Sequence, residues 1–107
     1  MMLSLFKRDG NIIRPEFENR IVTGFNEKIH LFLWYLLNDK DHGGVGLLRI
    51  HNPTDEQVNI LVKTAANHVN GLEANLVRLY TSNDRVYAEI EVSDTESNEV
   101  SSMEIEL

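Results

Sequence analysis

Four histidines (His30, His42, His51, His68) and two Glu-x-Glu pairs (Glu89 with Glu91, Glu104 with Glu106) are the side chains of this sequence best equipped for proton transfer or metal binding. No two histidines stand three or four residues apart, the spacing that builds a helical metal site. His30 and His68 read as partly buried spacers on helices, and His51 as an exposed turn residue between a strand and a helix. Cysteine is absent, which excludes disulfides, thiol catalysis and thiolate zinc sites. No serine lies in a nucleophile elbow. Gly43-Gly44-Val45-Gly46 precedes a strand rather than a helix N-terminus, so it reads as a turn and not as a phosphate loop. Carboxylates two residues apart on a wet strand face have no burial to raise a pKa. The reading is therefore a non-enzyme, with no catalytic residue, metal ligand or cofactor.

Charge is the feature that does discriminate. Residues 1–85 hold ten Lys/Arg against ten Asp/Glu, whereas Glu89, Glu91, Asp94, Glu96, Glu99, Glu104 and Glu106 follow with no base, giving the whole formal −7. Such an asymmetry bears on partners rather than on fold. It argues against direct nucleic-acid binding, which needs clustered Lys/Arg. These seven acids are the candidate contact with a partner protein that presents a basic surface. If Glu89-Ile90-Glu91-Val92 and Glu104-Ile105-Glu106-Leu107 form neighbouring strands, their glutamates share a face and repel, and a cationic partner relieves that repulsion.

The elements that must position these residues follow from periodicity. Asp9-Gly10 between apolar segments predicts a hairpin over residues 3–14, and Arg20 to Thr23 predicts a short strand. A helix is expected from Asn26, its cap, to Asp39, with Ile29, Phe32, Leu33, Leu36 and Leu37 in one apolar stripe. Leu31, Trp34 and Tyr35 lie off that stripe, so a second functional reading is self-association through this aromatic side. Val45 to Ile50, nearly all apolar, predicts a central strand. A second helix starts at Asn52 or at Thr54, the latter with Gln57 in a capping box, and carries Val58, Leu61, Val62, Ala65 and Val69. Asn75–Thr81 and Arg85–Val92 predict a hairpin around Ser82-Asn83-Asp84. Met103, Ile105 and Leu107 alternate with Glu104 and Glu106, as in an edge strand. The expected fold is α+β, a mixed and mostly antiparallel sheet with two helices packed on one face. Residues 1–92 form one globular domain, and residues 93–107 an acidic C-terminal segment. No apolar run approaches the ~20 residues of a membrane span, so no membrane partner and a cytoplasmic location are expected.

Asn19-Arg20-Ile21-Val22-Thr23-Gly24-Phe25-Asn26-Glu27-Lys28-Ile29, followed by Leu31-Phe32-Leu33-Trp34-Tyr35-Leu36-Leu37-Asn38-Asp39, resembles a family of uncharacterised short proteins from Firmicutes and their mobile elements. The family opens with a strand containing Arg and Thr-Gly, followed by a helix with a Leu-Phe-x-Trp-type core. The family has no assigned activity. The resemblance implies a phage or mobile-element accessory protein and carries no site residue over.

Overall fold

The computed structural model describes residue 22, residues 24–38, residue 47 and residues 50–107. Two helices, α1 (Phe25–Leu37) and α2 (Asp55–Asn67), precede three strands, β1 (Leu72–Ser82), β2 (Arg85–Asp94) and β3 (Val100–Glu106). The strands form one antiparallel sheet in the order β1-β2-β3, so β3 is hydrogen-bonded at the side of β2 opposite β1. Both helices pack on one face of it, and the fold is α+β.

The apolar stripe of α1 buries Ile29, Phe32, Leu33 and Leu36, as its spacing requires. Its start differs from expectation. Asn26 is not the cap: Gly24 takes the extended cap conformation with no side-chain hydrogen bond, and its carbonyl accepts the Lys28 N–H at 2.9 Å. Moving the cap two residues earlier lets Phe25 pack against the core, which outweighs the ~1 kcal/mol of a polar cap. In α2 the Thr54 register prevails: the Thr54 hydroxyl accepts from Gln57 N–H at 3.2 Å, and the Gln57 amide oxygen accepts from Thr54 N–H at 3.1 Å. Val58, Val62, Ala65 and Ala66 are its buried face.

The β1–β2 hairpin turns at Asn83 and Asp84, both at positive φ (52° and 64°), the two-residue geometry whose twist matches antiparallel strands. The register slips between Leu76 and Arg78, where Val77 bulges out. Beside that bulge the Leu76 N–H points away from β2 and donates to the Asn59 side chain of α2 at 3.0 Å. On the helix side, Ala74 and Val92, Leu76 and Ile90, Ile90 and Met103, and Ala88 and Ile105 are cross-strand partners and fill the core. Met103 and Ile105 are fully buried, so the acidic C-terminal segment contributes core side chains as well as charge.

The central strand expected over Val45–Ile50 is not seen at its described positions. Leu47 sits in a tight helical turn whose carbonyl accepts the Ile50 N–H at 3.2 Å, and Ile50 is in no strand. Leu47 is buried in the core, which accounts for the apolar signal without a strand. Of the strand expected over Arg20–Thr23, Val22 is described and lies in no strand. The hairpin around Asp9-Gly10, the glycine turn at 43–46, His42 and Asp39 lie outside the described residues.

Candidate functional site: the outer face of the sheet

Alternation along three paired strands places every second side chain on the face turned away from the helices. The register arranges that face in rows: Asn75, Glu91 and Ser102; then Arg78, Glu89 and Glu104; then Tyr80, Tyr87 and Glu106. Glu89 and Glu104 are therefore direct opposites, the repulsive pairing that the repeated Glu-x-Glu motif foreshadowed. Each has found relief inside the chain. Arg78 Nε donates to Glu89 Oε2 at 2.8 Å, and the Tyr80 hydroxyl donates to Glu104 Oε1. Arg85 Nη1 donates to Glu106 Oε1 at 2.5 Å.

The aromatic members of the face are ordered by the same register. Tyr80 and Tyr87 are cross-strand partners with ring centroids 5.3 Å apart and nearly parallel planes. The Arg78 guanidinium carbon lies 4.6 Å from the centre of the Tyr80 ring, within cation–π range. The hydrogen bond to Glu104 raises the Tyr80 pKa to about 12, helped by burial and by the negative charge of Glu104. Counted over the described residues, the face holds five carboxylates (Glu73, Glu89, Glu91, Glu104, Glu106) and two arginines, a local net of −3.

The remaining acids sit elsewhere. Asp94 ends β2 on the helix side and meets Lys28 of α1, and both side chains are only 1% exposed. Lys28 Nζ donates to Asp94 Oδ1 at 3.0 Å, to Asp94 Oδ2 at 3.1 Å and to Glu96 Oε2 at 3.0 Å. Asp94 also accepts from the Glu96 backbone N–H and the Ser97 hydroxyl, both at 3.1 Å. Burial by itself pushes the Asp94 carboxyl up. The Lys28 hydrogen bond, those from Glu96 and Ser97, and the Lys28 charge more than offset it, so the pKa is lowered. Glu96 raises the Lys28 pKa first by its hydrogen bond, against burial, and Asp94 adds to it. The loop around this cluster closes on Gly71, at φ +81°, whose carbonyl accepts the Thr95 N–H at 2.8 Å and the Thr95 hydroxyl at 3.0 Å. Glu99 Oε2 lies 3.0 Å from the same Ser97 hydroxyl and shares its single proton with Asp94.

The seven acids thus divide between two places. Glu89, Glu91, Glu104 and Glu106 share the outer face, whereas Asp94, Glu96 and Glu99 belong to the β2–β3 turn, where Asp94 and Glu96 bind Lys28. Sequence reasoning missed Lys28, Arg78, Arg85, Tyr80 and Tyr87. A signal existed for the tyrosines, since a turn at Asn83-Asp84 dictates the Tyr80–Tyr87 pairing; Lys28, Arg78 and Arg85 carried none that is local.

The aromatic side of α1 is partly occupied within the chain. Leu31, Trp34 and Tyr35 are half-buried. Tyr35 meets Trp34 edge-on at 5.3 Å and stacks on His68, beyond the end of α2, at 4.5 Å. His30 and His68 are both exposed rather than partly buried: His30 falls outside the apolar stripe of α1, and His68 caps α2 beyond its last turn. His51 is exposed and lines, with Asp55, Leu79 and Val86, an open cleft of about 610 Å³ at the start of α2. Among the described residues no three His, Asp or Glu side chains converge as metal ligands, and no helix is long and apolar enough to cross a membrane. No family model, no curated protein and no solved structure matches the chain.

Proposed function

We propose that this chain is a small cytoplasmic, non-enzymatic regulatory protein, of the accessory kind carried by phages or mobile elements, that binds a basic surface of a partner protein through the outer face of its sheet. The observation that carries the reading is the local net of −3 on a face that also presents a stacked tyrosine pair. Tyrosine and arginine are enriched where proteins meet, and unbalanced like charge is relieved by a complementary partner. Asp94 and Glu96 drop out of the contact surface, since Lys28 already binds them. Glu91 lies between Asn75 and Ser102, both uncharged, and is central to the contact.

The test is titration with an oligolysine peptide at low and at raised salt. A variant with Glu89→Gln, Glu91→Gln and Glu104→Gln is compared with one carrying the same charge loss on the helices, Glu27→Gln, Asp55→Asn and Glu56→Gln. The outer-face variant loses about tenfold or more in affinity at low salt, and the helix variant changes by less than about twofold. Equal losses in the two variants mean that total charge, rather than this face, attracts the peptide, and that result defeats the proposal.

A further inference from the structure

Resting on the reading just given, we infer that the outer face selects arginine over lysine, and that its occupant is an arginine-rich segment of a partner protein. Arg78 displays the required geometry within the chain. Its guanidinium lies over the Tyr80 ring at 4.6 Å while its Nε donates sideways to Glu89 at 2.8 Å. A planar, delocalised cation covers a ring face while donating in its own plane to a lateral carboxylate; an ammonium is a compact, strongly hydrated point charge that gives up more hydration to do the same. Arg85 repeats the carboxylate half of this arrangement with Glu106 in the Tyr87 row.

Of the two internal cations Arg78 is the one held weakly. Its side chain is 60% exposed and Glu89 keeps some access to water, and pairs open to solvent contribute little to stability; Arg85, by contrast, holds the buried Glu106 and stays in place. Arg78 can swing aside without disturbing the core, leaving Glu89 and the Tyr80 ring to an incoming guanidinium. Among the described residues Glu91 and Glu104 are ion-paired with no cation, and they supply the remaining negative charge on the same rows. The net charge of the face repels phosphate, so the arginines receive a protein and not a nucleic acid.

The experiment compares oligoarginine and oligolysine peptides of equal length, titrated into the full chain at low salt and followed by calorimetry. Oligoarginine binds about five- to tenfold more tightly. Tyr80→Leu and Tyr87→Leu each shrink that preference while leaving oligolysine affinity within about twofold, and Tyr80→Phe, which keeps the ring, preserves it. Arg78→Gln empties the internal position and tightens oligoarginine binding by about twofold or more. Circular dichroism verifies that each variant is folded. Equal affinities for the two peptides, or a preference unchanged in both leucine variants, overturns arginine selectivity and leaves the basic-partner reading standing. Binding of neither peptide removes that underlying reading as well.

Discussion

The chain carries two sets of opposite charges that look alike as contacts and differ in nearly everything else. Lys28 with Asp94 and Glu96 lies between α1 and the end of β2, closed to solvent on the lysine and aspartate and saturated with hydrogen bonds. Arg78 with Glu89 and Arg85 with Glu106 lie on the open face of the sheet, at comparable distances but with the guanidinium side in water. Distance alone would rank them together. Burial separates Lys28–Asp94 from Arg78–Glu89, because a desolvated charge that loses its partner has no water to turn to, whereas an exposed one does; Arg85–Glu106 lies between, open on the arginine and buried on the glutamate. The first set ties a helix to the sheet; Arg78 is available for exchange.

The sharpest way to break this contrast is Asp94→Ala. It leaves the buried Lys28 ammonium with Glu96 as its one remaining carboxylate and deprives the Glu96 N–H and the Ser97 hydroxyl of their acceptor. The melting temperature falls by roughly 10 °C or more in a scan at neutral pH. Combining Asp94→Leu with Lys28→Met removes both charges and recovers much of that loss. A single variant that melts like the wild type would place the Lys28 cluster on the same footing as the surface pairs.

Titration of stability with pH sharpens it next. Asp94 has a lowered pKa in the folded chain, so its contribution is present above the ordinary value of 3.8 and disappears as pH falls through the lower folded one. Lys28 is raised, so its contribution is full below 10.5 and fades as pH rises through the folded value. Tyr80 acts in the same direction, because its neutral form is favoured by folding: its contribution is complete below pH 10 and lost as pH climbs to about 12. Urea midpoints measured across pH therefore drop at both extremes. Asp94→Ala flattens the acid limb, and Tyr80→Phe reduces the alkaline one.

A smaller effect is expected from Gly71→Ala. A Cβ there lies 3.2 Å from Asp94 Oδ1 and from Glu96 Cγ, on a backbone at φ +81°. The loss is about 1–2 kcal/mol by urea denaturation, through left-handed strain and displacement of the Lys28 cluster. Smallest of all is Arg78→Ala, which shifts stability by less than about 1 kcal/mol in the same assay. A larger loss there would show that the outer-face pairs are structural.

Much of the scaffold could be read from local chemistry. Thr54 and Gln57 announce the start of α2, Asn83-Asp84 announces a tight hairpin, and Met103 and Ile105 alternating with glutamates announce β3. Each of these signals is carried by residues a few positions apart. Lys28 was illegible for the opposite reason: its partners are 66 and 68 residues away, and a lysine beside Asn26 and Glu27 reads as solvated surface. Leu47 misled because burial and strand formation both draw on apolar residues, and here a turn met the demand. The acidic terminus was legible as composition, but its division between a buried cluster and an open face depends on register, through which Asp94 points inward and Glu91 outward.

The hydrogen bond from Leu76 to Asn59 has a consequence for how copies of this protein behave in a crowded cell. An eleven-residue strand that pairs on one side only among the described residues invites a second molecule to zip alongside it and seed a fibril. On β1 the kink at Val77 disrupts the regular ladder such a newcomer would need, and an amide from α2 already sits on one of the donors it would seek. Replacing that one asparagine would leave the donor bare and weaken a guard against self-templated assembly.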